Sequence, residues 1–378
     1  MEARLEALAR ASAADRDLYR PVMFRPGLAE DRERLEELLK RTPGIRVHDE
    51  LRSQVRELVR ALNPSEKWAP GELDQAAIDH LGSTPAFTFG VWVYYPWSGR
   101  LVHLLDEAEF VRVRTDRNRN KITSEEQALL STKKVGVIGL SVGQSVCITL
   151  ALERTFGELR IADFDTLDLS NLNRIRSGVH LLGERKAVNV AREIAEIDPF
   201  LKVTPYFEGV HEGNIEDFLT NGGKLDLLVE ECDSVAVKII ARQHAKAHRI
   251  PVVMDTSDRG LIDVERFDLE PDRPILHGLV NEVVTDRSAF TDDTARIRAA
   301  MRMAGDHLSP RMRASMPEIG RTLCTWPQLG SHVVAGGAHA ADVTRRVLLG
   351  EDQPSGRWYV DLGELLSTGS EPHIAQRS

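Results

Sequence analysis

The sequence predicts an α/β protein with a Rossmann-like, doubly wound, mostly parallel sheet, preceded by a smaller α+β domain. From Lys133 onward, short apolar runs alternate with longer amphipathic stretches, which is typical of parallel strands connected by helices. A glycine-rich turn follows the first of these runs, at the place where such sheets bind nucleotides. The first hundred residues lack this alternation and carry no catalytic pattern, so we assign them to a separate domain.

The predicted sheet is built from five strands, each of which is a short apolar run. Their sequences are KVGVIGL (134–140), GELRIADFD (157–165), KVTPYFEGV (202–210), KLDLLVEE (224–231) and IPVVMDTS (250–257). The predicted helices between them are SVCITLALERTF (145–156), GERKAVNVAREIAEID (183–198), GNIEDFLT (213–220) and SVAVKIIARQHAKAHR (234–249). Each helix connects the end of one strand to the start of the next, as parallel pairing requires.

The first hundred residues predict three helices and a β-hairpin. Leucine, valine and alanine recur at helical spacing over residues 3–18, 29–41 and 48–62. Residues 86–97 are rich in β-branched and aromatic side chains and predict a strand, with GRLVHLLD (99–106) as its hairpin partner. The pattern indicates an accessory domain that carries helices beside a small sheet.

A basic connector, RVRTDRNRNK (112–121), predicts an irregular segment before a short helix. Ser124 is the predicted N-cap of that helix, with Gln127 three residues later. The predicted domains are 1–111 for the accessory domain, 112–366 for the main domain with 263–320 as an insertion that crosses the sheet, and 367–378 for a disordered polar tail.

The composition excludes several classes of protein. The 378 residues are 42% hydrophobic and 28% charged, which is ordinary for a globular protein. A net charge of −9 argues against binding to nucleic acid or to an anionic membrane surface. No apolar run approaches the ~20 residues of a membrane span, and the charged N-terminus is unlike a signal peptide. Three widely spaced cysteines do not form a disulfide framework, so we expect a cytoplasmic protein.

The glycine-rich turn is VGVIGLSVGQS (135–145), and the N–H groups at the start of the next helix would face phosphates. Asp163 lies 24 residues after Gly139, where a dinucleotide-binding unit has its ribose-binding carboxylate. However, Gly136, Gly139 and Gly143 do not spell G-x-G-x-x-G, and the P-loop pattern is absent. The turn alone therefore leaves both NAD binding and a purely structural role open.

The segment DFDTLDLSNLNR (163–174) narrows this choice. Asn171 and Arg174 are three residues apart, so they point the same way if the segment turns helically. Arg174 and Lys186, on the next helix, supply the positive charge that a triphosphate needs, which favours ATP over NAD. A later strand ends in EECDS, and Asp233 lies at its carboxyl edge, where it can hold Mg²⁺ against phosphate oxygens.

These residues carry a resemblance to a known family. From about Arg117 to Gly260, the chain resembles the ubiquitin-activating-enzyme-like superfamily of MoeB, ThiF and HesA, and DFDTLDLSNLNR is similar to its D-x-D-x-x-x-x-S-N-L-x-R motif. The likeness resumes over residues 321–350, which resemble the closing cysteine, loop and glycine-containing helix of that family. The resemblance implies a Rossmann-like, usually homodimeric enzyme that uses Mg-ATP to adenylate a carboxylate and releases pyrophosphate.

The resemblance also implies roles for individual residues. Asp163 would bind the ribose, and Asp233 would bind Mg²⁺. Arg119, or else Arg117, would reach the ATP of the partner subunit. The full nucleotide-binding set would be Gly139, Ser141, Gly143, Asp163, Asp165, Asn171, Arg174 and Lys186. The catalytic set would be Arg174, Lys186, Asp233, Arg119 and Cys324.

Departures from the family pattern affect the loop, the metal content and the cysteine. The family loop usually reads G-x-G-G-x-G, but this chain has Ser141, Val142 and Gln144, whose side chains would crowd the phosphates or re-route the loop. Paired Cys-x-x-Cys motifs are absent, so we expect no structural zinc. Cys324 resembles the cysteine that attacks the acyl-adenylate or carries sulfur, with Arg321 to favour its thiolate; the alternative is a packing cysteine.

The sequence does not identify the acceptor, which is the carboxylate that would be adenylated. It would be the C-terminus of a ubiquitin-like carrier protein or a peptide, or else a small-molecule or RNA-linked carboxylate; a third hypothesis is a protein that binds ATP or NAD without catalysis. The insertion 263–320 is expected to help form the acceptor site, and Asp258 or Arg259 is a candidate contact to the acceptor carboxylate. Small residues in VVAGGAHAADV (333–343) predict close helix packing.

Overall fold

The computed structural model describes residues 1, 4, 16–281, 301–303 and 308–367. They divide into two compact units: unit 1 is Met1–Gln127 with Ala191–Leu201, and unit 2 is Ala128–Val190 with Lys202–Ser378. Apart from their edges, the helix predicted over residues 3–18 and the tail predicted over 367–378 lie outside the described residues. The domain boundaries drawn from the sequence stay predictions.

Unit 1 contains a mixed sheet of four strands in the order β1-β3-β4-β2. The strands are β1 (Val22–Phe24), β2 (Arg46–Asp49), β3 (Val91–Tyr95) and β4 (Arg100–Leu104). β3 and β4 form the predicted antiparallel hairpin, and β2 runs parallel to β4. The helices are α1 (Ala29–Arg41), α2 (Leu51–Leu62), α3 (Glu72–Leu81) and α4 (Glu107–Arg114). Leu51, Val55 and Leu58 of α2 are buried in one apolar cluster with Leu73 and Ala77 of α3.

Two sequence predictions in unit 1 place an element boundary wrongly. The helix predicted over residues 48–62 begins at Leu51, because the preceding residues form β2 and the Asp49 carboxylate accepts a hydrogen bond from the Leu51 N–H at 3.2 Å. The strand predicted over 86–97 begins only after Gly90, which has a φ of +71°. A Cβ at Gly90 would lie 2.1 Å from the Leu104 carbonyl oxygen, so the position requires glycine, and its positive φ interrupts the extended backbone.

The predicted basic connector is partly helical, since α4 extends into it as far as Arg114. The next helix, α5, spans Ser124–Leu130, and Ser124 is not its cap. Instead, the Glu126 N–H donates to Thr123 Oγ1 at 3.2 Å while the Thr123 N–H donates to Glu126 Oε2 at 2.8 Å. This reciprocal pair is a capping box one residue earlier than predicted.

Unit 2 contains a seven-stranded sheet in the order β11-β10-β9-β8-β5-β6-β7. Its strands are β5 (Lys134–Ile138), β6 (Glu158–Ala162), β7 (Lys202–Tyr206), β8 (Leu227–Glu230), β9 (Val252–Thr256), β10 (Leu261–Glu265) and β11 (Gly356–Tyr359). The five strands β5 to β9 are parallel, and β10 and β11 add an antiparallel edge. All five strands predicted for the sheet are confirmed, as is the doubly wound, mostly parallel fold class.

The helices of unit 2 connect and cover these strands. They are α6 (Gly143–Glu153), α7 (Lys186–Ile197, whose second half belongs to unit 1), α8 (Ile215–Thr220), α9 (Val235–Ala247), α10 (Pro310–Ser315), α11 (Gly330–Leu348) and α12 (Leu362–Leu365). Among the described residues, none of the helices combines the length and the apolarity that crossing a membrane requires.

The small residues of α11 confirm the predicted close packing. A Cβ at Gly337 would lie 2.5 Å from the Ser145 Cβ of α6, so the two helices approach at a distance that only glycine permits. A Cβ at the neighbouring Gly336 would lie 2.0 Å from the Asp255 Oδ2 atom on β9. The pair of glycines therefore lets α11 lie directly on both α6 and the sheet.

Candidate functional site

The predicted nucleotide-binding residues lie where β5, β6 and β8 end. β5 lies between β6 and β8 and pairs with both in parallel, so the carboxyl ends of the three strands meet at one edge of the sheet. Gly139 follows β5, Asp163 follows β6 and Asp233 follows β8 closely. The strand order reverses at β5, because β6 and β7 lie on one side of it while β8 and β9 lie on the other, and open α/β sheets bind ligands at such a reversal.

Gly139 and Gly143 shape the turn between β5 and α6. Gly139 has a φ of +86°, and a Cβ there would lie 2.7 Å from the Cys232 backbone nitrogen. A Cβ at Gly143 would lie 2.8 Å from Val137 Cγ1. The turn therefore needs glycine at both positions, and it brings the N-terminus of α6, whose helix dipole attracts anions, to the sheet edge.

The Asp163 carboxylate is tied to this turn. It is buried, and it accepts hydrogen bonds from the Leu140 N–H at 2.7 Å and from the Asp165 N–H at 2.8 Å. Burial raises the pKa of Asp163, while the nearby Lys186 ammonium acts in the opposite direction. Asp163 thus fixes the position of the glycine turn relative to β6, in addition to its predicted role at the ribose.

Lys186 connects the glycine turn to the segment after β6. Its side chain is 6% exposed, and its Nζ donates to Asp165 Oδ2 at 2.8 Å and to Ser141 Oγ at 3.1 Å. Two predicted site residues, Ser141 and Asp165, are thereby held by the ammonium group of a third. The positive charge lies beside the N-terminus of α6, so both features attract an anion to the same place.

Arg174 lies close to Asp233 across the same edge. Burial lowers the pKa of Arg174, and the Asp233 carboxylate partly restores it. One guanidinium nitrogen, Nη1, donates to Asn173 Oδ1 at 2.9 Å, but the buried Nε has no acceptor among the described residues. A buried donor without an acceptor costs about 1–3 kcal/mol. An anion bound beside this guanidinium would supply the acceptor that Nε lacks.

Asn171 is buried, and it forms a capping box for its own short 3-10 helix. Its Oδ1 accepts a hydrogen bond from the Asp168 N–H at 3.0 Å, and the Asp168 side chain accepts one from the Asn171 backbone. Asn171 therefore shapes the turn that presents Arg174. Its predicted contact with phosphate stays a prediction.

The three residues that replace family glycines make specific contacts. Ser141 accepts the hydrogen bond from Lys186, and Val142 is 7% exposed. The Gln144 carboxamide donates to the Arg176 carbonyl at 3.0 Å and accepts from the Arg176 N–H at 3.1 Å. Gln144 thus joins the start of α6 to the residues after Arg174, a connection that no sequence pattern indicated.

A cavity of about 910 Å³, measured out to its open mouth, lies beside these residues. Asp233 and Val142 line it from the nucleotide side. The insertion that was predicted to help form the acceptor site contributes three lining residues, Met303, Leu308 and Met312. Through Asp233 it is continuous with the predicted nucleotide site.

Two buried carboxyl groups, Glu231 and Asp255, form the floor of this cavity. The Asp255 N–H donates to Glu231 Oε1 at 2.9 Å, but neither carboxylate oxygen of Asp255 has a hydrogen-bond partner among the described residues. Burial raises the pKa of Asp255 to about 7. Burial and then the nearby Asp255 raise the pKa of Glu231 well above its usual range. Neither residue was among the site residues predicted from the sequence.

The cations behind the floor are already paired. Lys238 Nζ donates to both oxygens of Glu230, at 3.0 and 3.1 Å. Arg242, which is fully buried, donates to Glu230 at 2.6 Å and to Glu265 at 2.5 Å. Burial alone would raise the pKa of Glu230, but the charges of Lys238 and Arg242 hold it at about 2. Asp255 takes part in none of these ion pairs.

The remaining predicted residues differ in their surroundings. Cys324 is exposed, not a packing cysteine, and Arg119 is half exposed and pairs with Asp116 at 3.5 Å in unit 1. Arg259 donates to Asp361 at 2.7 Å, whereas Asp258 lines the cavity. Within the described part of the chain, no group of three or more His, Cys, Asp or Glu side chains is arranged to hold a metal ion.

Comparison with known proteins gives the family. A family model described as the ThiF family matches residues 115–317, which is more than half of the 378 residues. The chain belongs to the ThiF family. The resemblance drawn from the DFDTLDLSNLNR segment is thereby confirmed.

This ThiF-family chain covers less than two thirds of the length of each of the two curated relatives described next. It is 44% identical over 287 residues to an uncharacterized protein of Mycobacterium tuberculosis, covering 76% of this chain and 40% of that protein. It is 24% identical over 154 residues to the tRNA threonylcarbamoyladenosine dehydratase of Bacillus subtilis, covering 40% of this chain and 60% of that enzyme. The solved E. coli tRNA N6-threonylcarbamoyladenosine dehydratase, TcdA, is similar with a TM-score of 0.47 and 16% identity, covering 65% of this chain and 98% of that one.

Proposed function

We propose that this ThiF-family chain binds Mg-ATP and adenylates a carboxylate, releasing pyrophosphate. The acceptor that we favour is a peptide or small-molecule carboxylate that enters the cavity beside Asp233. The Bacillus relative is named for a modified tRNA nucleoside. The net charge of −9 gives this chain little attraction for RNA, so we rank an RNA-linked carboxylate second.

The observation that carries the proposal is the buried Arg174 Nε without an acceptor, close to the exposed Asp233. A cation and an anion held side by side suit a metal-bound polyphosphate, because the phosphates need donors while the metal needs a carboxylate. Lys186 supplies a second cation beside the N-terminus of α6. An NAD site would use Asp163 but would not require Arg174 and Asp233.

The residues would act mainly by orienting groups and stabilising charge. An oxygen of the acceptor carboxylate forms a bond to the α-phosphorus, and the bond from that phosphorus to the oxygen bridging to the β-phosphate breaks. Negative charge then increases on the departing pyrophosphate, where Arg174 and Lys186 would donate hydrogen bonds. Asp233 would hold Mg²⁺, which when bound neutralises phosphate charge; one carboxylate plus phosphates and waters is a usual Mg²⁺ site.

The proposal is tested by calorimetric titration with Mg-ATP and, separately, with NADH. We expect the wild type to bind Mg-ATP, and Arg174→Ala to bind it at least about tenfold more weakly, since a charged hydrogen bond contributes about 1.5–3 kcal/mol. The matched control is Arg346→Ala, which removes a half-exposed arginine paired with Asp342. Binding of NADH but not ATP, or equal ATP affinity in Arg174→Ala, would contradict the proposal.

We also propose a homodimer in which Arg119 of one subunit acts at the nucleotide site of the other. Light scattering gives the oligomeric state, and a subunit-mixing experiment tests the shared site. Arg119→Ala and Arg174→Ala should each abolish pyrophosphate release alone. Mixed dimers should regain activity, because one subunit keeps an intact site and receives Arg119 from its partner. A mixture as inactive as its components would exclude the shared site.

We further propose that the exposed Cys324 accepts the acyl group after adenylation. Its thiolate would attack the carbonyl carbon of the acyl-adenylate, forming a thioester and releasing AMP. Cys324→Ser should then keep ATP binding and the first release of pyrophosphate but lose the covalent acyl-protein. Unchanged acyl transfer in this variant would exclude the role.

A further inference from the structure

The cavity beside Asp233 combines an apolar wall with a charged floor. The apolar wall is lined by Met303, Leu308, Met312 and Trp326. The floor is Asp255 with Glu231, at and next to the carboxyl ends of β9 and β8. A ligand that fills this space therefore meets apolar surface along its body and carboxyl groups at its inner end.

Asp255 is the unusual member of the floor. It is 5% exposed, and neither of its carboxylate oxygens has a hydrogen-bond partner among the described residues. Gly336 of α11 lies against the carboxylate, since a Cβ there would be 2.0 Å from Oδ2, so this helix contributes no donor at the point of contact. Burying a carboxylate costs free energy unless it is paired, and the described residues give Asp255 no hydrogen-bond donor to its side chain.

Among the described residues, neither of the nearby cations is paired with Asp255. Lys238 lines the cavity too, but its ammonium is paired with Glu230 at 3.0 Å. Arg242 is shared between Glu230 and Glu265. Glu230 and Glu265 therefore take up both cations, and Asp255 has no partner among the described residues.

We infer that the acceptor carries a protonated amine or guanidinium group that donates to Asp255, while its apolar part packs on Met303 and Met312. The identification of this ligand as the acceptor rests on the proposed adenylation, because Asp233 lines the same cavity. The acceptor then holds its cation at the floor and its carboxylate toward Asp233. Amino acids and peptides with a free amine or a basic side chain have this chemistry, whereas simple fatty acids do not.

The test uses the intact chain, labelled with ¹³C at the methionine methyl groups. Met254, Met303 and Met312 line the cavity and report its occupancy, and each signal is assigned by its loss in a Met→Leu variant. The probes are n-butylammonium and 1-butanol, which share an apolar chain and differ in charge. We expect butylammonium to shift these three signals at about tenfold lower concentration, the effect of one charged hydrogen bond.

Asp255→Asn separates the carboxylate from the apolar wall. In this variant the two probes should shift the same signals at similar concentrations, whereas the exposed control Asp352→Asn should keep the wild-type preference. Equal response to both probes in the wild type, no response to butylammonium, or a preference that survives in Asp255→Asn would each overturn the inference.

The experiment needs no nucleotide, so its failure is distinct from failure of the proposed adenylation. If Mg-ATP binds but butylammonium is not preferred, only the cationic acceptor is wrong. If butylammonium is preferred but Mg-ATP does not bind, the cation site stands and the adenylation proposal fails.

Discussion

The Asp163 carboxylate accepts a hydrogen bond from the Leu140 N–H at 2.7 Å, which ties the end of β6 to the glycine turn after β5. Its second oxygen accepts from the Asp165 N–H at 2.8 Å. One side chain therefore holds two backbone segments of the candidate nucleotide site. This arrangement makes the geometry of the turn dependent on a residue from the neighbouring strand.

Asp163→Asn should destabilise the chain and weaken ATP binding together. Asparagine keeps one acceptor oxygen, so one of the two backbone N–H groups loses its partner, at a cost of about 1–3 kcal/mol. Urea denaturation measures the free energy of unfolding, and calorimetry measures ATP affinity. The control is Asp352→Asn, at an exposed position. Full stability in Asp163→Asn would show that the tether contributes little.

Gly336→Ala should destabilise the packing of α11 on β9. Its Cβ would lie 2.0 Å from Asp255 Oδ2, so the helix or the carboxylate must shift. Overpacking of this kind costs about 1–3 kcal/mol, and the better helix propensity of alanine offsets about 1 kcal/mol of it. Thermal denaturation measures the difference. Gly44→Ala, where a Cβ meets nothing within 4 Å, should be nearly neutral, and an equally small effect at Gly336 would contradict the prediction.

Arg242→Met should be the most destabilising of these substitutions. Arg242 is fully buried between Glu230 at 2.6 Å and Glu265 at 2.5 Å, and its loss leaves both carboxylates without this partner. Breaking such a buried pair costs about 3–5 kcal/mol. Arg346→Met, which removes a surface pair, should cost about 1 kcal/mol or less. Comparable unfolding free energies in urea for the two variants would contradict the expectation.

The sequence could predict the strands and the residues that directly follow them, because apolar runs bounded by glycine and acidic residues are local signals. Gly139, Asp163 and Asp233 belong to this class. The orphaned Arg174 Nε and the Gln144 contact to Arg176 depend on how the 3-10 segment turns, which local spacing does not determine. Asp255 resembles any acid at a strand end, and its burial depends on Gly336, far later in the chain. For this reason the floor of the cavity could be found only in the folded structure.

Stability should fall with rising pH because of Asp255. Burial raises the pKa of Asp255 from 3.8 to about 7, so between these values the folded chain holds a proton that the unfolded chain has lost. The unfolded state then binds fewer protons, and the free energy of unfolding decreases as pH rises through this window. Each pKa unit is equivalent to about 1.4 kcal/mol of stability. The pKa of the neighbouring Glu231 is also raised, so this group acts in the same direction as Asp255, although the charge of Lys238 works against the rise in the pKa of Glu231. Asp255→Asn should therefore gain stability relative to wild type between pH 5 and pH 7 (roughly the upper part of this window), measured by urea denaturation at both values. A parallel pH dependence in Asp255→Asn and wild type, as expected for the exposed control Asp352→Asn, would show that Asp255 is ionised at no cost and already has a partner.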